Sequence, residues 1–222
     1  LLFYMLQRHQ DAEYFIDVFT GGFAVADYVL KNTNKNVLAN DLNKYVIALL
    51  EKALKGELGD EVYEWVSREK FNDVKNNPDN YEDWYVGYVL TLWSFGNSQQ
   101  AYLYGADIEN IKKSVHDLIV NNIWDENVKL FYDEVPNDLK EIKYKDYIKK
   151  RVEVLASIKQ SKNRKGKWLE DERLTTQQHL QAVERLLDWS NKRHNKVVFH
   201  KKNWLEVIKG LPKEVLEKGV IY

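Results

Sequence analysis

Between Tyr14 and Asn43 the chain reads apolar, glycine, amphipathic, apolar, acidic, the order in which a parallel α/β sheet opens. Tyr14-Phe15-Ile16-Asp17-Val18-Phe19 is an apolar run interrupted by one carboxylate, and it leads into Thr20-Gly21-Gly22. A helix is predicted from Phe23 to Lys31, with Ala24, Val25, Tyr28 and Val29 on one face. A second apolar run, Val37-Leu38-Ala39, ends in Asn40-Asp41-Leu42-Asn43. Two glycines at the end of a strand let the backbone turn sharply and approach a ligand, because they have no Cβ to clash. An adenosyl group fits over such a turn, and an acid about twenty residues on, at the tip of the next strand, is where a ribose hydroxyl pair is held. Asp41 occupies that place, although it could also cap the helix that begins near Lys44.

The remaining elements extend this grammar and then interrupt it. A helix is predicted over 1–10, ahead of the first strand at 14–19, and another over 44–54, closing at Lys55-Gly56. From Glu57 to about Leu174 the texture is polar, aromatic-rich and mostly helical, with helices predicted at 60–71, 81–93 and 108–122. Trp84, Tyr85, Tyr88, Trp93, Tyr102 and Tyr104 fall here. Helical spacing favours a core role for these rings, with stacking on a base as the functional alternative. Alternation returns with an amphipathic helix at 175–193, a strand at Lys196-Val197-Val198-Phe199-His200 and a last apolar run, Gly219-Val220-Ile221-Tyr222. The division that follows is a discontinuous α/β core at 1–56 and 175–222, with a helical insertion at 57–174.

Charge is segregated. The whole chain carries a formal charge of -1, yet residues 143–167 hold ten Lys or Arg against Asp146 and Glu153. Such a segment on a near-neutral protein is the footprint of a surface that meets phosphates, and its plain alternative is a solvated basic helix and loop. Lys149, Lys150, Arg151, Lys162, Arg164, Lys165 and Lys167 are the candidate phosphate contacts. They would position a duplex rather than read its sequence.

Other chemistry is excluded more briefly. There is no cysteine, so neither a disulfide framework nor a thiolate metal site is available, and the five histidines show no metal-ligand spacing. No run has the length of a membrane span and no signal-peptide pattern is present, which leads to the expectation of a cytoplasmic protein with no membrane partner. No phosphate-loop pattern or serine nucleophile elbow occurs.

Phe15-Ile16-Asp17-Val18-Phe19-Thr20-Gly21-Gly22 followed by Leu38-Ala39-Asn40-Asp41-Leu42-Asn43 closely resembles the S-adenosylmethionine site of the Dam-like (D12 class) DNA adenine-N6 methyltransferases. The resemblance implies a Rossmann-like S-adenosylmethionine-dependent methyltransferase core with an inserted, mostly helical target-recognition domain. Its partner would be double-stranded DNA and its setting a phage or a restriction-modification system. Asp17, Phe19, Thr20, Gly21, Gly22 and Asp41 would hold the cofactor, with Asn203 and Trp204 flanking its adenine. The stretch from Trp93 to Gly105 is similar to the family's loop that ends in Tyr-Gly and approaches DNA, here without the usual arginine. At Phe23 a bulky residue stands where a third small one is usual, which predicts a narrowed cofactor pocket.

The family's catalytic motif, Asp-Pro-Pro-Tyr, would follow directly after Tyr222, and none of the three prolines in the chain forms a Pro-Pro pair. The chain begins with Leu and stops in an apolar run, so a fragment or one part of a divided protein is expected, with no catalytic residue of its own. The implied reaction extrudes an adenine from the duplex and aims its amine at the sulfonium methyl. Two other readings stand beside it: a truncated or inactive relative that binds cofactor or DNA without transfer, and a different Rossmann-fold enzyme acting on a small molecule.

Overall fold

The computed structural model describes residues 2–130, 166–189 and 196–222. Its centre is a four-stranded sheet built from β1 (Tyr14–Asp17), β2 (Asn36–Asn40), β3 (Val197–His200) and β4 (Gly219–Ile221), in the order β3-β2-β1-β4. Every pairing is parallel, with Ile16 opposite Leu38 and Ile221, and Ala39 opposite Phe199. Parallel neighbours need crossovers, and those here include α2 (Ala24–Asn32) and α3 (Lys44–Leu54) along the chain from β1, and α8 (Trp204–Gly210) and α9 (Lys213–Glu217) between β3 and β4. α1 (Leu2–Arg8) precedes the first strand.

Strand periodicity sorts the core onto two faces. Phe15, Val37, Ala39 and Val220 pack in one cluster with Ala26 and Val29 of α2 and Ile47 and Leu50 of α3. Ile16, Val18 and Leu38 point the other way, against Val207 of α8 and Val215 of α9. Successive side chains of a strand alternate faces, so a sheet covered on both sides reads as the near-continuous apolar runs found in the sequence. Phe15 and Phe23 are fully buried, each stabilising the fold by roughly 1.5–3 kcal/mol.

By internal contacts the chain divides into two compact units. The first comprises Leu1–Leu58, Asp73–Thr91 and Asp188–Tyr222 and holds the sheet. Within it most of α5 (Asp83–Leu92) lies on α3: a Cβ at Gly87 would stand 2.1 Å from the Tyr45 carbonyl oxygen, so the glycine permits the backbone approach. Lys44 pairs with Asp83 at 3.1 Å and Lys52 lies over the Trp84 ring at 4.0 Å.

The second unit comprises Gly59–Asn72 and Leu92–Leu187. It includes the start of α4 (Arg68–Asn76), α6 (Glu109–Asn121) and most of α7 (Gly166–Asp188). Its interior is aromatic: Trp65 stacks on Tyr104 at 5.6 Å, Trp93 stacks on Tyr102 at 6.4 Å, and His179 meets the Trp93 ring edge-on at 4.3 Å. Trp93, Tyr102 and Tyr104 are thus core residues, as is Tyr88 in the first unit.

Several predicted boundaries move. The helix predicted at 60–71 is instead a 3-10 turn at Asp60–Tyr63 and the separate α4. Burial of Tyr63 and Val66 holds the intervening backbone extended, and the Ser67 hydroxyl then accepts the Lys70 amide at 3.1 Å to start the helix. The helix predicted at 175–193 begins at Gly166, and the strand predicted at 14–19 ends at Asp17, where the chain turns.

Candidate functional site

The strand order places the candidate residues. From β1 the chain moves to β2 and then β3 on one side, while β4 lies on the other side of β1. The carboxyl end of β1 is therefore the point where the topology reverses, and parallel α/β sheets open a crevice there. β4 ends at the same edge: the Tyr222 amide donates to the Ile16 carbonyl at 2.8 Å, and the Tyr222 ring stacks on Phe15 at 5.9 Å.

Asp17, the last residue of β1, is 1 % exposed. Its Oδ1 accepts the Phe19 amide at 3.3 Å. Burial holds its carboxyl above the usual range; the nearby Thr20 hydroxyl and the Phe19 amide oppose that rise, and the charge of Asp41 adds to it. The Thr20 hydroxyl itself is buried without a full hydrogen-bond partner. A carboxylate held out of water, with only the Phe19 amide and a loosely placed Thr20 hydroxyl beside it, leaves a place for a cationic donor, since such a group is otherwise costly to bury.

The turn after β1 is locked by its neighbours. The Thr20 amide donates to the Asn40 carbonyl at 2.8 Å, and the Gly21 amide donates to Asp41 Oδ2 at 3.0 Å. Asp41 Oδ1 accepts the Asn43 amide at 2.9 Å, so each carboxylate oxygen holds one backbone donor and keeps a lone pair for another. The expected alternative role, capping α3, falls to Asn43, whose Oδ1 accepts the Tyr45 and Val46 amides. Gly21 has φ +47°, and the space around a Cβ at either Gly21 or Gly22 is open.

Phe23 is also left-handed, with φ 67°, which explains why a small residue suits this position. Its ring does not enter the space above the turn. It is buried against Trp189 at 5.5 Å and Phe199 at 5.7 Å, so the bulk at this position is taken up by the core.

Phe19 is 70 % exposed, and its ring lies 6.5 Å from Trp204, itself 45 % exposed. Both aromatics stand at the carboxyl edge, Phe19 after β1 and Trp204 after β3. Asn203 caps α8, its Oδ1 accepting the Leu205 amide at 2.9 Å. The structure therefore gathers Asp17, Phe19, Thr20, Gly21, Gly22, Asp41, Asn203 and Trp204 around the carboxyl ends of β1, β2 and β3.

One residue that organises this edge carried no role in the sequence reading. Asn40 is 1 % exposed and donates through Nδ2 to the carbonyls of Val18 and Lys202, both at 3.0 Å, while its Oδ1 accepts the Lys202 amide at 3.1 Å. It ties three strand ends together. Its signal in the sequence is a lone amide closing the buried run Val37-Leu38-Ala39, where an unpaired polar group would be penalised.

Of the candidate phosphate contacts, Lys149, Lys150, Arg151, Lys162, Arg164 and Lys165 lie outside the described residues, and Lys167 stands in the first turn of α7. Among the described residues no group of three or more His, Asp or Glu forms a metal cluster, and no helix is long and apolar enough to cross a membrane.

A family model described as D12 class N6 adenine-specific DNA methyltransferase matches residues 2–135, more than half of the chain. Comparison with curated proteins and with solved structures returns no match.

Proposed function

This chain belongs to the D12 class N6 adenine-specific DNA methyltransferase family, and from that premise we propose that its β1–β2 edge binds S-adenosylmethionine for methylation of adenine in double-stranded DNA. The observation that carries the cofactor assignment is the pair of carboxylates at adjacent strand ends. Asp17 is buried with no cation to balance it among the described residues, and Asp41 is half-buried with lone pairs to spare.

The residues present fit the group. Asp17 suits the ammonium of the methionine moiety, which would offset the cost of its burial. Asp41 would accept the ribose hydroxyls from the tip of β2, while the open space over Gly21 and Gly22 admits the nucleoside. Phe19, Asn203 and Trp204 would flank the adenine, the two rings supplying apolar surface at the rim. When bound, the cofactor supplies an electrophilic methyl on a sulfonium. The chain's own contribution is to fix that group at the switch point and to keep Asp17 shielded from water.

Residues 57–174 are the proposed target-recognition insertion, with the Trp93–Gly105 loop approaching the duplex and the basic residues of 143–167 holding its phosphates. The target adenine would be extruded from the stack before transfer.

Titration calorimetry of S-adenosylmethionine against the full chain tests the reading. Saturable binding that Asp17→Asn weakens at least about tenfold, or 1.4 kcal/mol, is the expected result. Absence of binding by the unsubstituted chain, or affinity indifferent to both Asp17 and Asp41, would remove the cofactor assignment.

A further inference from the structure

The segment between Trp93 and Tyr102 leaves the core of the second unit as a narrow excursion. Its two limbs are joined by one antiparallel bridge, Ser94 to Tyr102, and by two backbone hydrogen bonds at 2.9 Å, Phe95 amide to Ala101 carbonyl and Leu103 amide to Trp93 carbonyl. The tip carries three left-handed residues, Gly96 (φ 62°), Asn97 (φ 53°) and Gln99 (φ 61°), two of which are not glycine. Phe95 is 70 % exposed. So short a two-limbed excursion, with strained residues at its tip, is marginal by itself. Within the loop the Asn97 amide donates to the Ser94 carbonyl at 3.2 Å and the Gln99 amide to Ser94 Oγ at 3.0 Å, so the tip has a shape of its own and the root sets how that shape is held.

That root is held by the buried Trp93–Tyr102 stack and, on its outer side, by one ion pair. Arg68 opens α4 and Glu109 opens α6. Arg68 Nε donates to Glu109 Oε2 at 3.1 Å, and the Arg68 backbone amide donates to Glu109 Oε1 at 3.3 Å, so one carboxylate ties two helix N-termini together. The guanidinium also donates to the Tyr104 carbonyl, on the limb returning from the loop, and lies 4.9 Å from the centre of the Tyr102 ring. The Tyr102 hydroxyl donates to the Val66 carbonyl at 2.6 Å, two residues before Arg68. A planar guanidinium with five donors can serve a carboxylate, a carbonyl and a ring face at once, which an ammonium cannot do with the same geometry.

We propose that Arg68 is a positioning residue: with Glu109 it holds the 94–102 loop in one conformation, so that DNA meets a pre-ordered surface and the ordering cost is not charged against sequence discrimination. This rests on the DNA-methylation reading above. The pair itself holds the returning limb at Tyr104 and Tyr102 and not the loop tip. Its effect is on the loop's conformational spread.

The test compares the unsubstituted full chain with Arg68→Ala, Arg68→Lys and the exchanged pair Arg68→Glu/Glu109→Arg in two measurements. Hydrogen exchange at the Phe95 and Leu103 amides reads loop order without any ligand. Enrichment from a duplex library with a randomised central segment reads sequence discrimination. The expected result is exchange at both amides at least about tenfold faster in Arg68→Ala, an equivalent of 1.4 kcal/mol, together with a flattened sequence preference. Arg68→Lys should recover only part of either effect. Core amides of α6 report whether the unit is intact; if Arg68→Ala loosens these as well, the exchanged pair decides, since it restores the ion pair but leaves the Tyr104 carbonyl without its donor and should still show faster loop exchange over an intact α6. Loop exchange and sequence preference within about twofold of the unsubstituted chain in the variants that fold would overturn the proposal. A library from which the unsubstituted chain enriches nothing would refute the DNA reading and the positioning role with it, whereas unaltered loop exchange with a clear sequence preference would refute the positioning role alone.

Discussion

Replacing Asp41 by Asn isolates what its two oxygens do. In the native chain Oδ2 accepts the Gly21 amide at 3.0 Å and Oδ1 accepts the Asn43 amide at 2.9 Å. An amide of the same shape has one acceptor oxygen and an NH2, so it can serve only one of these donors, and its NH2 must face the other N–H. The local bond to Asn43, two residues away, is the easier to keep. The Gly21 amide then loses its partner and the glycine turn loses its tie to β2. Hydrogen bonds to charged groups contribute about 1.5–3 kcal/mol, so loss of a charged acceptor for the ribose together with the tie to Gly21 should weaken S-adenosylmethionine binding by roughly 10- to 150-fold. Calorimetry of the two chains side by side measures this. A melting experiment on the same samples should show a change of at most about 1–2 kcal/mol, because the site is half-buried and water can reach the freed amide. Affinity within about twofold of the native chain would refute the assignment of Asp41 to the ribose.

Asp17→Asn should separate binding from stability. Its carboxyl is held above the ordinary 3.8 by burial, so ionising it disfavours folding as pH rises above that value, and the penalty is complete above the raised folded value. The variant should melt higher than the native chain at neutral pH, with the gap closing as pH falls through that window, while cofactor affinity is lost; a variant that binds normally would refute the ammonium assignment. His179 makes the opposite case: burial and the neighbouring His116 hold it down at about 3 against 6.5. The unfolded chain takes up that proton first, so the second unit should lose about 2–3 kcal/mol between pH 7 and pH 4.5, read by urea unfolding through Trp fluorescence. His179→Leu should flatten this dependence, and a slope unchanged by the substitution would show that another group is responsible. Gly87→Ala, which would put a Cβ 2.1 Å from the Tyr45 carbonyl oxygen, should destabilise the first unit by about 1–3 kcal/mol or more, each kcal/mol lowering Tm by about 2–4 °C. An unaltered Tm would mean that α5 is free to shift on α3.

Much of the strand–turn–strand geometry around Asp17 and Asp41 was legible in the chain because its determinants are local. Val37-Leu38-Ala39 reads as a short strand, Gly21 and Gly22 as a sharp turn, and Asp41 as the acid at a strand tip, since each depends on neighbours within a few positions. The family resemblance rested on those same residues, and residues 2–135 match the family. Boundaries that depend on distant burial were not legible. The 60–71 segment has helical composition, yet Tyr63 and Val66 are drawn into the core of the second unit and the helix restarts at Ser67.

What the sequence determined by itself was the kind of sheet, the glycine turn and the acids available to it, because strand period, backbone freedom and side-chain charge are properties of short stretches. The tertiary structure alone decided which of these groups meet. It set the order β3-β2-β1-β4 that makes the end of β1 the switch point, and it turned the Phe23 ring into the core. It also gave Asn40 its three backbone partners and joined Arg68 to Glu109 across 41 positions of chain. Contacts between residues far apart in sequence depend on how whole elements pack, and no window of the chain contains that information.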